Sequence, residues 1–274
     1  YSREFNVWTT SFQEAGMHTE LIIHGAAKAI YRHSFMVIDR LYVWGTAQDA
    51  FTSMDSKVGE YVDFGPLYVH RVHSEALPKE EVDEKLIVVL SQHLDTLEKE
   101  DAGFDFKASD EKFFRYVLAA AKELKDYKFL ILPHPYEQKR GYVNALMEDE
   151  LKAQSNIEIS YDTYPFNSFR YIKHASLALT QNSASGYECL YSGGRCVFFD
   201  TEPGGYMSDF RPFFGQLITS PVEYSKEAWI DHLKEILSLT DDEFKERFPF
   251  RRYGANELLD GITSDSRKVK SCAE

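Results

Sequence analysis

The chain of 274 residues is 43% hydrophobic, 15% aromatic and 27% charged, which supplies a sizeable core and excludes disorder over most of its length. A net charge of −13 leaves no basic face for phosphate-backbone contacts and excludes nucleic-acid binding as the main role. No apolar run reaches the ~18 residues of a membrane span, the opening YSREFNVWTTSFQEAG lacks a secretory apolar centre, and Cys189, Cys196 and Cys272 form no CxxC, so neither a disulfide framework nor a cysteine zinc site is expected.

In chain order, short apolar runs occur at LIIHG (21–25), LYVWG (41–45), YVDFG (61–65), KLIVVLS (85–91), KFLILPHP (128–135), ASLALTQ (175–181) and RCVFFD (195–200). They are apolar at successive positions, the pattern of strands buried on both faces of a parallel sheet. Amphipathic segments alternate with them: EKFFRYVLAAAKELKDY (111–127), NALMEDELKAQ (144–154), SGYECLYSG (185–193) and SKEAWIDHLKEILSL (225–239). DDEFKER (241–247) reads as an acidic helix start with a solvated face. Strand–helix alternation predicts an α/β fold with a doubly wound, Rossmann-like parallel sheet, its core in residues 85–200. Residues 1–35 do not fit this unit. They are expected to be the remnant or edge of an N-terminal acceptor domain, with 36–274 as the C-terminal nucleotide-sugar-binding domain, or else residues 1–20 are an irregular cap on a single domain.

Ligands of doubly wound sheets bind beyond the carboxyl ends of the strands, so the residues that follow each run are the site candidates. After KFLIL come Pro133-His134-Pro135, where two φ-restricted residues bracket a histidine able to donate to a phosphate oxygen or to carry a proton to a leaving group. Glu137, Lys139 and Arg140 lie close by in sequence. After LALT comes QNSASG, placing Ser183, Ser185 and Gly186 where a helix begins, an anion site by its N–H groups and macrodipole. Glu188 follows one turn later, either as the capping-box partner of Ser185 or as an acceptor for ribose hydroxyls, and Gly193-Gly194 reads as a helix C-cap. After LII come His24-Gly25, with Lys28, Arg32 and His33 close behind. Each histidine could equally be a turn residue without chemistry. His70 and His73 lack a carboxylate at metal spacing, so no metal and no cofactor is expected. Ser91-Gln92-His93 could line the cleft. GxSxG, GxxxxGK[ST] and GxGxxG are absent, which removes the nucleophile elbow, the P-loop and the dinucleotide fingerprint.

Taken in order, His-Gly after an early strand, His-Pro after a middle strand, and a Ser-rich turn opening a helix that ends in Gly-Gly-Arg before VFFD resemble the nucleotide-binding half of GT-B glycosyltransferases with part of a second domain. The resemblance is nearest to the cytidine-nucleotide group: bacterial sialyltransferases, Kdo transferases of capsule and lipopolysaccharide, and CDP-glycerol glycerophosphotransferases. It implies catalytic roles for His24 and His134, and donor binding by Gly25, His134, Pro135, Ser183, Ser185, Gly186 and Glu188. It further implies a CMP-sugar donor of Kdo or sialic-acid type, a bacterial surface glycan as acceptor, no metal, and a cytoplasmic location, at the inner face of the membrane if other parts of a longer chain attach there. Other readings are a glycerophosphotransferase, a UDP-GlcNAc 2-epimerase relative and a non-catalytic nucleotide-binding domain. The carboxylate that would act as base or nucleophile in such families has no counterpart identifiable in the sequence.

Overall fold

The structure, a computed structural model, describes residues 10–22, 37–43, 57–63, 65–66, 68–92, 106–135, 137, 147–162, 166–201, 214–249 and 251–254. The chain forms two compact units, one of residues 1–74 with 251–274, the other of residues 75–250. The division falls at Ser74–Glu75 and again at Phe250–Arg251.

In the smaller unit, β1 (Glu20–Ile22), β2 (Val37–Val43) and β3 (Lys57–Asp63) pair in parallel in that order. Leu21, Leu41 and Tyr61 share a register. Strands built on LYVWG and YVDFG were expected to be buried on both faces. β3 is not: Lys57, Gly59, Glu60 and Asp63 are exposed, because charged residues alternate with Val58 and Tyr61. The helix α1 (Val69–Glu75) buries Val69 and Val72. Residues 251–254 belong here because Asp63 accepts hydrogen bonds from Arg251 and Tyr253. The Tyr253 ring also lies over Gly65 (φ +77°), where a Cβ would come within 2.7 Å of it.

The larger unit runs β4 (Leu86–Leu90), α2 (Phe106–Glu123), β5 (Lys128–Leu132), α3 (Glu148–Lys152), β6 (Ile157–Ile159), α4 (Asn167–Ile172), β7 (Leu177–Thr180), α5 (Ala184–Tyr191), β8 (Cys196–Phe199), β9 (Ile218–Thr219), α6 (Lys226–Ser238) and α7 (Asp241–Arg247). Its six strands are all parallel, in the order β6-β5-β4-β7-β8-β9. This is the doubly wound, Rossmann-like order, whose topological switch point lies between β4 and β7. All five residues of β4 are buried, as a central strand requires. The core extends past residue 200, since β9 pairs with β8, and β6 adds the opposite edge. One face is closed by α2, whose Phe113 and Tyr116 rings meet Phe199, and Tyr116 also meets Trp229 of α6.

Candidate functional site

Leu90, the last residue of β4, is opposite Leu132 of β5 on one side and Thr180 of β7 on the other. The three chain exits that follow, Ser91, Pro133-His134-Pro135 and Gln181-Asn182-Ser183, therefore leave the sheet side by side at the switch point. The amide of Ser91 donates to Leu132 O at 3.2 Å, continuing the ladder one residue past β4. With strands ~4.8 Å apart, the exits of β5 and β7 are separated by about 10 Å across β4, the scale of a diphosphate with its flanking groups.

Thr180, fully buried, shapes the β7 exit. Its hydroxyl donates to Leu90 O at 3.1 Å and accepts from Ser183 N–H at 3.2 Å. Ser183 then caps α5, its Oγ accepting from Ser185 N–H at 3.3 Å. The cap is thus Ser183, and the expected Ser185–Glu188 capping box does not form, because Ser185 already lies in the first turn. Ser185 instead faces α4, its Oγ 3.5 Å from that of Ser168, and hydrogen-bonds Glu188 one turn further on. Gly186 has a packing role that its motif does not announce. A Cβ there would come within 2.8 Å of Phe198 and Thr180 and 3.1 Å of the Cys196 sulfur. Its missing side chain lets α5 press onto β7 and β8. Gly193-Gly194 close α5 as the sequence suggests: Gly193 (φ +96°) donates to Leu190 O and Gly194 to Cys189 O, a Schellman motif.

Glu188 is 2% exposed, and burial pushes its carboxyl up to about 8, with the Ser185 hydrogen bond pulling the other way. Near neutrality it is largely protonated, so it can donate as well as accept. At the β5 exit, His134 is half-buried and Pro135 exposed. Glu137, fully buried, accepts from Ser91 Oγ at 2.6 Å and from the His134 amide at 2.8 Å. A second polar network lies toward β8: Gln181 Nε2 donates to Ser109 Oγ at 3.0 Å, and the Ser109 and Thr201 hydroxyls bond each other. It ties the first turn of α2 to the exits of β7 and β8, beside the buried Asp110 and Asp200.

His134, Pro135 and Ser183 thus follow the ends of β5 and β7, the two strands that flank β4, whereas Ser185, Gly186 and Glu188 lie within α5. His24 and Gly25 fall outside the described residues, as do Lys28, Arg32, His33, His93, Lys139 and Arg140. His70 and His73 lie on α1, where His73 Nε2 meets Tyr253 O at 2.9 Å. Among the described residues, no group of three or more His, Cys, Asp or Glu side chains is placed to hold a metal ion, and no helix is long and apolar enough to cross a membrane. Thr180 escaped the sequence reading, although a threonine closing a buried apolar strand before QNS was the available signal.

No protein-family model and no curated protein sequence matches the chain. Similar solved structures are a UDP-GlcNAc 2-epimerase from Methanocaldococcus jannaschii in complex with UDP-GlcNAc and UDP (16% identity, TM-score 0.52, 83% of this chain and 61% of that one). A second is a UDP-GlcNAc 2-epimerase from Neisseria meningitidis bound to UDP-GlcNAc (10%, 0.52, 95% and 79%). A third is a pneumococcal O-GlcNAc transferase in complex with UDP and GlcNAc (15%, 0.51, 94% and 54%). The neighbours are GT-B-type proteins. The likeness establishes the fold, and the chain spans less than two thirds of the length of the first and third.

Proposed function

We propose that this chain forms the nucleotide-binding part of a glycosyltransferase using a nucleotide-activated sugar, in its finer form a CMP-linked sugar of Kdo or sialic-acid type destined for a bacterial surface glycan. The observation that carries the reading is the register Leu132–Leu90–Thr180, which sets the His-Pro exit and the Ser-capped N-terminus of α5 at one switch point. In the transfer, the bond between the anomeric carbon and the phosphate oxygen breaks and its electron pair leaves with the nucleotide. The acceptor oxygen forms the new bond and gives up its proton. Negative charge therefore grows on the departing phosphate, where an imidazole donor, small hydroxyls and a helix N-terminus are suited to meet it. Glu188, protonated near neutrality, suits a partner rich in hydroxyls, such as ribose.

Titration of the protein with CMP, CDP, UDP and ADP tests this. Binding of CMP or CDP ahead of ADP is the expected order, and absence of binding by all four at millimolar concentration would sink the nucleotide site. A second reading is supported by the two 2-epimerase neighbours: isomerisation of a UDP-sugar without any acceptor. Preference for UDP over CMP, with conversion of UDP-GlcNAc to an isomer when incubated alone, would decide for it.

A further inference from the structure

We propose that Glu137 is a positioning residue, which locks the Pro133-His134-Pro135 turn to the end of β4 and so sets where the His134 imidazole stands. This inference rests on the reading that His134 contacts the nucleotide phosphate. The sequence itself restricts how such a turn can be held. Pro133 and Pro135 have no N–H, so His134 supplies the only backbone donor of the tripeptide, and Glu137 takes it at 2.8 Å. Fixed proline φ angles make the turn stiff but do not say where it points; an anchor must do that. Glu137 Oε2 provides one, because the same oxygen accepts from Ser91 Oγ at 2.6 Å, the residue directly after β4. One carboxylate oxygen thereby joins the exits of the neighbouring strands β4 and β5, beside the switch point.

The burial of this group argues for a purpose beyond cohesion. A fully buried carboxylate is costly to desolvate, and an apolar side chain of like size generally serves stability as well or better. Reaching back three residues to a backbone N–H is also how a carboxylate caps a helix start, and capping alone would explain the His134 bond. It does not explain the Ser91 bond, which runs to another strand and is short, as a charge-assisted O–H···O⁻ bond is.

The test is a double-mutant cycle on the whole chain, read as affinity for CMP and UDP, with circular dichroism and urea midpoints as the check on folding. Glu137→Ala should weaken nucleotide binding about tenfold, the loss of one hydrogen bond to a charged partner. Glu137→Gln should recover most of that, since a single carbonyl oxygen can accept from both donors. In a His134→Ala background, Glu137→Ala should add less than about a twofold further loss, because the residue acts through His134. Wild-type affinity in a folded Glu137→Ala protein would overturn the proposal, as would an equal loss with and without His134. Should Glu137→Ala fail to fold, Ser91→Ala replaces it. About a threefold loss that vanishes in the His134→Ala background supports the anchor, and no loss overturns it. If His134→Ala alone binds like the wild type, the phosphate role of His134 fails and takes this proposal with it. That result is distinct from a failure of Glu137 alone.

Discussion

Glu188 illustrates how one buried side chain makes stability depend on pH. Its carboxyl stands at about 8 in the folded chain against an ordinary 4.5, chiefly because burial disfavours the charged form. Between those values the native state keeps a proton that the unfolded state releases, so stability falls as pH rises through this window, by up to ~1.4 kcal/mol per unit. The expected outcome is a urea midpoint that drops more between about pH 5.5 and 7.5 in the wild type than in Glu188→Gln, whose amide does not titrate. A wild-type-minus-variant difference that stays constant with pH would show Glu188 to be charged in the native state. His134 makes a complementary prediction. If it donates to phosphate, His134→Ala weakens CMP and UDP alike by ~1.5–3 kcal/mol, since phosphate and not base is contacted. A turn residue without that role would leave affinity unchanged and alter stability by under about 1 kcal/mol.

At the level of elements, α5 is held by glycines whose roles differ. Gly186→Ala would drive a methyl group into Phe198 and Thr180, both fully buried, and should destabilise by ~1–3 kcal/mol, lowering the melting temperature by several degrees. Nucleotide affinity of the folded fraction should persist; if instead affinity falls while melting is unchanged, Gly186 serves the ligand after all. How much of this could be read in advance follows from length and periodicity. β4, β5, β7 and β8 are continuous apolar runs and announce themselves, and α6 and α7 carry Ser225 and Thr240 caps before amphipathic or acidic starts. β6 and β9 contribute three and two residues, too short for any period to register. That His134 and Ser183 follow the ends of core strands was legible, because residues after strands in a doubly wound sheet reach one edge. Thr180, Ser91 and Glu137 were not legible as a framework, because their partners lie on other strands, and register is a property of pairing that a single sequence does not display. The packing of Gly186 was hidden for the same reason: the atoms that crowd a side chain there come from Thr180 on β7 and from Phe198, twelve residues away on β8.

On the scale of the whole molecule, the larger unit has its own six-stranded core and returns its last helix, α7, to that core through Phe244, with Arg195 bonded to Asp241. A fragment of residues 75–250 is therefore expected to unfold in a single cooperative thermal transition. A fragment that melts without cooperativity would show that its core needs residues from the smaller unit. The thiols of Cys189 and Cys196 carry a further consequence. Cys189 lies on α5 and Cys196 on β8, both are fully buried, burial pushes both far above the ordinary thiol range, and Cys189 donates to Ile172 O at 3.0 Å. Neither can form a thiolate until α5 lifts from the sheet. In a Cys272→Ser chain, the rate at which an alkylating reagent traps these two sulfurs becomes a clock for that opening. A ligand seated at the N-terminus of α5 slows the clock in proportion to its occupancy, so the protein's own cysteines can rank unlabelled nucleotides before any reaction is known.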